Sequence, residues 1–349
     1  MNPDSLDLEI PGFRLAMSEG SIAGNATVKG LDKIKFYAVM KLDTELRNLR
    51  RYIPDSLVYD MSGKIQGRVR ARSQITLDKI TPQLIDVFYD KTRVELKLKN
   101  ISLDMPDTVM NVEKLSGDIE MNSQFVRIKE LKGSWHGMDF KVPSASIKNL
   151  FKTVMRNQRG TLAVDGDFQF GDLDYNILAG LAESEATYEA THPKDTLARK
   201  QVEQAWRYRI KGNLLINSLK YDSILAEKIK AGYNISKGKE LIEGDISIGK
   251  LKYDIMEFSN MSADYKMNTR NFEVKGKAGI ENMIYEDAPL SNISALYNIN
   301  DSVYTIDKIR MAGFGGHVEA AMKIKLQGED EMEIEMQSKV DSVDFRRMM

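Results

Sequence analysis

The chain has 349 residues, with 50 Lys plus Arg against 51 Asp plus Glu and a formal net charge of −1, both signs being interspersed. It therefore lacks the basic stripe that a phosphate backbone requires, and no nucleic-acid partner is expected. Its zero cysteines exclude a disulfide framework, thiol catalysis and thiolate metal sites, and no apolar run approaches the roughly 20 residues that span a bilayer.

In chain order, the opening MNPDSLDLEIPGF enters an extended pattern with neither the basic nor the apolar stretch of an export signal. IKFYAVMKLD at 34 to 43 reads as a strand followed by a helix-like TELRNLRRYI. SGK at 62 to 64 reads as a turn, and TPQLIDVFYD at 81 to 90 as a short helix. VELKLKN at 94 to 100 sets Val94, Leu96 and Leu98 against Glu95, Lys97 and Lys99, which is the strand period. SASIKNLFKTVM at 144 to 155 and GDLDYNILAGL at 171 to 181 are further helix candidates. The polar stretch 182 to 206 has no strand period and reads as an insertion or linker, which divides the chain into expected segments 1–181, 182–206 and 207–349.

The last segment repeats itself. IKAGYNIS at 229 to 236 returns as MSADYKMN at 261 to 268 and ISALYNIN at 293 to 300, a spacing of 32 each time. The apolar residues fall on alternate positions: Ile229, Ala231, Tyr233, Ile235; Met261, Ala263, Tyr265, Met267; Ile293, Ala295, Tyr297, Ile299. Ile216, Leu219 and Tyr221 are likewise echoed by Ile248, Leu251 and Tyr253 and by Ile280, Met283 and Tyr285. A fixed period argues for an array in which each unit buries its apolar face on its neighbours. A fainter echo lays residues 115 to 137 over 293 to 315 without a gap, and another pairs 34 to 43 with 332 to 341. Turn signals at 236 to 239 and 327 to 330 imply local, antiparallel connections. The predicted fold is mainly β: an elongated, curved antiparallel sheet or groove of tandem repeats of about 32 residues with a few short capping helices. The last residues, VDSVDFRRMM, stop after what reads as the first turn of an amphipathic segment, so a fragment of a longer protein is expected.

Catalytic chemistry finds no support. His136, His192 and His317 share no metal-like spacing, and Glu331 and Glu333 lie on one strand face instead of across a cleft. GFGG at 313 to 316 runs into strand-like HVEAAMKIKL, not a helix, so it reads as a turn or bulge and not a phosphate cradle. No enzyme activity, metal or cofactor is expected. The repeated tyrosines fit a groove lining or a ladder in a sheet core equally well, and the free use of Met256, Met261, Met267, Met332 and Met336 suits an adaptable apolar surface or ordinary gap filling. Ala231, Ala263 and Ala295, with Gly117 in the distant copy, suggest a furrow of small residues across the strands.

The ordered combination from Leu219 to Phe345, namely the tyrosine repeat, then GFGGHVEAAMKI with Gly315 and Gly316, then MEIEMQSKVDSVDF with Val340, Asp341 and Phe345, resembles the C-terminal region of the AsmA family of bacterial envelope proteins. Leu42 and Asp43 match the same closing phrase more weakly. The resemblance implies a place in the repeating β-groove group related to TamB, with an apolar face that carries phospholipid or another acyl lipid. It also implies a periplasmic location, outer-membrane biogenesis, partner proteins at the inner or outer membrane, and an inner-membrane anchor that this chain lacks. The competing reading is a structural or protein-interaction β-solenoid of the envelope, with two sheets packed face to face. The two differ in whether the alternate-residue face is open or covered.

Overall fold

The computed structural model describes residues 7–30, 33–52, 59–76, 91–104, 111–150, 153, 160–177, 179–180, 207–236, 241–286, 288–300, 303–313, 315–326 and 332–342. The polar stretch 182 to 206, the helix candidate at 81 to 90, the turn signal at 327 to 330 and residues 343 to 349 lie outside them. The chain forms two compact units, divided within one strand between Phe168 and Gln169. It is mainly β, and every strand pair whose register is defined is antiparallel, as the alternation predicts.

The first unit runs β1 (Asp7–Met17), β2 (Gly20–Lys29), β3 (Lys33–Glu45), β4 (Asp60–Thr76), β5 (Arg93–Asp104), β6 (Val112–Met121), β7 (Phe125–Trp135) and β8 (Met138–Lys148), each paired with the next. β9 (Thr161–Asp174) begins beside β8, where Gly166 packs on Ala145. A 3₁₀ helix, Leu46–Tyr52, follows β3 and lays Leu46 and Leu49 over the sheet. There Leu46, Met61, Leu98 and Ile101 are buried, with Ile65, Leu96, Leu103 and Leu115 around them. This small cluster is the covered core of the first unit.

The second unit carries β10 (Arg207–Tyr221), β11 (Ile224–Ser236), β12 (Leu241–Tyr253), β13 (Met256–Asn268), β14 (Glu273–Tyr285), β15 (Ala288–Asn300), β16 (Val303–Gly313), β17 (Gly316–Leu326) and β18 (Met332–Asp341), again in a sequential meander. The 32-residue period is two strands. Its hairpin turns repeat with it: Asp222, Asp254 and Glu286 all take positive φ between strand ends paired as Tyr221 with Ile224, Tyr253 with Met256 and Tyr285 with Ala288.

A second set of positive-φ residues crosses the strands midway: Asn100, Lys114 and Glu130 in the first unit and Lys228, Asn260, Asn292 and Lys308 in the second. A left-handed residue cannot continue the pleat, so the side-chain alternation is reset there. Two successive exposed residues then separate apolar ones by three positions, as at Lys99 and Asn100 between Leu98 and Ile101. The same step occurs in β14, at Glu281 and Asn282 between Ile280 and Met283, where the left-handed residue is Asn260 of the facing strand. Leu96, Leu98, Ile101 and Leu103 nonetheless join one cluster, which demonstrates that the apolar face continues across the reset.

The faint echo between the halves is a structural one. Shifted by 178 residues, β7 and β8 coincide in their bounds with β16 and β17. Positive φ at Lys114, Glu130 and Gly137 recurs at Asn292, Lys308 and Gly315. The irregular steps at 113/116 and 116/118 recur at 291/294 and 294/296.

Three local expectations are corrected. SGK at 62 to 64 is not a turn: it lies inside β4, where Gly63 (φ 93) forms a bulge with its Cα pressed on the Asn100 carbonyl. SASIK at 144 to 148 is the end of β8, its Ala145 and Ile147 alternating with serines. Gly171–Asp174 end β9, and helical structure begins only at Tyr175. GFGG at 313 to 316 does close a hairpin, with Gly313 opposite Gly316 and Gly315 at φ 80.

Candidate functional site

The registers of the second unit arrange its apolar residues in rows across the strands. One row runs Ile210, Ile235, Ile242, Met267, Val274, Ile299, Tyr304, Ile324, Ile334. A parallel one passes through Ile216, Ile229, Ile248, Met261, Ile280 and Ile293. Between them lie a tyrosine and glycine row (Gly212, Tyr233, Gly244, Tyr265, Gly276, Tyr297) and a small-residue row (Leu214, Ala231, Ile246, Ala263, Ala278, Ala295). Residues paired across antiparallel strands share a face. All twelve sequence-selected residues are therefore on one side of the sheet, on the alternate strands β11, β13 and β15, while Lys230, Ser262, Asp264, Lys266 and Asn298 project from the other.

The sequence-selected residues cover only half of this face. β12 and β14 contribute Ile242, Ile246, Ile248, Val274, Ala278 and Ile280, and β16 to β18 extend it through Ile306, Met322 and Met336. The signal was the same alternation, obscured where Gly244 and Gly276 occupy the tyrosine row. Cross-strand neighbours also break the expected furrow: Ile246 stands between Ala231 and Ala263, so the unbroken small stretch is Ala263, Ala278, Ala295. Gly117 sits apart in the first unit, opposite Leu98.

The glycines have a steric reason. The Tyr265 ring lies across Gly244, where a Cβ would stand 2.7 Å from its Oη, and Tyr297 lies across Gly276 at 2.9 Å. Tyr297 Oη then donates a hydrogen bond of 2.8 Å to the Asp264 carbonyl on β13. These two rings lie along the sheet instead of standing off it.

Among the described residues of the second unit no second sheet covers the face; the helical residues that begin at Tyr175 touch it at one end, where the Tyr175 ring packs edge-on against Tyr221 of β10 with centroids 4.6 Å apart. In its strands β10 to β18 only Ala226, Ile229 and Ala320 are buried hydrophobics; the rest of the face is half-buried by its own neighbours, or open, as at Met332, Ile334 and Met336. A depression of about 640 Å³ lies on the wet side, along Ser247, Ser262, Gly279 and Ser294 beside Lys308 and Arg310. Arg310 there is paired with Glu319 at 3.1 Å. No group of three or more metal-binding side chains occurs among the described residues.

Burial first, then the Asp264 carboxylate and the neighbouring Tyr265, holds the Tyr297 hydroxyl above its ordinary value near 10; burial and Asp245 do the same for Tyr265. A raised acid favours the protonated form in the folded state, so this stability is complete below pH 10 and is lost as pH rises past it. A pH series of denaturation midpoints is expected to fall above pH 10, and to fall less in Tyr297→Phe. An unchanged slope in that variant would remove Tyr297 from the account.

Comparison of the chain with protein-family models, with curated proteins and with solved structures finds no match.

Proposed function

We propose that the second unit binds acyl lipid on its apolar face and serves as a non-enzymatic lipid carrier of the bacterial envelope, a member of the AsmA family at work in the periplasm in outer-membrane biogenesis. One observation carries the reading: an apolar face nine strands wide over which the described residues place no second sheet, only the Tyr175 ring against Tyr221 at its β10 end. Contiguous exposed apolar surface beyond a few hundred Å² marks an interaction site or ligand groove. Each methylene transferred from water to such a surface gains about 0.8 kcal/mol, so an acyl chain of about a dozen methylenes gains on the order of 10 kcal/mol before ordering costs. Direct partners would be phospholipid or another acyl lipid and the membrane proteins that deliver and accept it. The solenoid reading needs a second sheet over this face, and the half-exposed rows speak against it.

The test is Ala263→Asp, in the middle of the unbroken alanine stretch. A carboxylate in the path of an acyl chain must be desolvated or displace the chain, so lipid recovered with the purified protein is expected to fall about tenfold or more. Because the site is open, the carboxylate stays hydrated in the lipid-free protein and the thermal melt shifts little. Unchanged lipid by native mass spectrometry with the fold intact refutes the proposal. Collapse of the fold favours packed sheets.

A further inference from the structure

Among the described residues, the last strand of the second unit presents an open edge. All ten residues of β18 are exposed, with Met332 at 60%, Ile334 at 53%, Met336 at 62% and Val340 at 55%. Among the described residues of its unit it pairs with β17 alone. Proteins blunt such edges with proline, bulges, very short strands or charged side chains. β1 shows the device: its ladder is broken between Ile10 and Phe13, across Pro11 and Gly12. β18 has no proline and no glycine, and its ten-residue register on β17 is uninterrupted, so charge is its one guard, from Glu333, Glu335, Lys339 and Asp341.

We propose that β18 pairs edge to edge with β18 of a second copy of this chain, antiparallel and about a two-fold axis at Met336. The strand is self-complementary in that register. Glu333 falls opposite the partner's Lys339 and Lys339 opposite the partner's Glu333, while Met332 meets Val340, Ile334 meets Ser338 and Met336 meets itself. Within the ten residues of the strand this register opposes no like charges; Asp341 meets Glu331 only beyond the strand's end. A two-fold at Gln337 pairs Glu335 with Lys339 but sets Glu333 against Asp341 inside the strand, and one at Glu335 sets that carboxylate against its own copy; like charges directly opposed are destabilising. A two-fold contact of this kind is closed and stops at a dimer. Paired residues share a face, so the apolar side of one copy continues into the other, and this second inference stands whether or not the face carries lipid.

The absence of cysteine makes the register directly readable. Directly opposed Cβ atoms in an antiparallel pair lie ~4.5–5.5 Å apart, close enough for a disulfide with slight adjustment. Under mild oxidation, Met336→Cys is expected to give a covalent dimer. Glu335→Cys and Gln337→Cys, which would cross-link only in the adjacent registers, are expected to give at least fivefold less. Equal cross-linking of all three, or none in Met336→Cys, overturns the proposal.

Light scattering of charge variants supplies a second measurement. Glu333→Lys and Lys339→Glu should each shift the protein to monomer, and the double variant should restore the dimer. Within one chain, Glu333 faces Lys325 and Lys339 faces Glu319. Each swap therefore puts like charges between β17 and β18 in the single and double variants alike, and recovery of the dimer can come only from the second copy. A double variant that stays monomeric with an unchanged circular dichroism spectrum, or a wild-type chain that is monomeric at high concentration, counts against it.

Discussion

Ile101→Ala should lower the unfolding free energy of the first unit by about 2–5 kcal/mol, the usual cost of emptying a buried aliphatic site. Ile101 is 3% exposed and sits among Leu46, Met61 and Leu98, where the 3₁₀ helix covers the sheet. The same substitution at Ile293 in the second unit is expected to cost about 1 kcal/mol, because a half-buried side chain has already kept part of its contact with water. Chemical denaturation of the two variants beside the wild type reads the difference. Equal costs would mean that the second unit's face is covered after all, and would remove the main support for lipid binding.

Most of the fold was legible because alternation of apolar and polar residues has one physical meaning, a strand with two unlike faces. The 32-residue echo located β11, β13 and β15 and placed Tyr233, Tyr265 and Tyr297 at one register. What stayed hidden depends on neighbours, which sequence does not order. Gly244 and Gly276 look like weak points in β12 and β14 until the tyrosines of the next strands are seen lying across them. The step of three from Ile216 to Leu219 was visible, but the left-handed Lys228 that lies opposite it on the facing strand was not: a lysine at φ 55 carries no composition signal. SGK misled for the converse reason, since glycine marks a bulge within a strand as readily as a turn between two. The candidate face was half legible on the same terms. Its residue types could be read along each strand, while the rows that make it a surface came only from registers.

Gly276 and Gly279 lie three residues apart on β14, and alanine should act on them with opposite signs. At Gly279 a Cβ finds Ser262 Oγ at 3.4 Å and the Ile293 carbonyl at 3.9 Å, which is ordinary contact. Gly279→Ala is therefore expected to be neutral or to stabilise by up to about 0.5–1 kcal/mol, as removal of a strand glycine does. At Gly276 a Cβ meets the Asp264 carbonyl oxygen inside contact distance and Tyr297 Oη at 2.9 Å. The ring has to lift, its hydrogen bond to Asp264 is lost, and the backbone clash remains even then, so Gly276→Ala is expected to cost about 1–3 kcal/mol, as overpacking does. Thermal melts of the two variants decide it. If both shift in the same direction, the glycines are not there to seat the tyrosines. If only Gly276→Ala destabilises, Tyr297→Ala in that background should recover part of the loss, because the ring is one of the two groups the new methyl displaces. The lifted ring would also stand up from the sheet beside Ala278 and Ala295, and lipid recovered with Gly276→Ala should then fall even at temperatures where it remains folded.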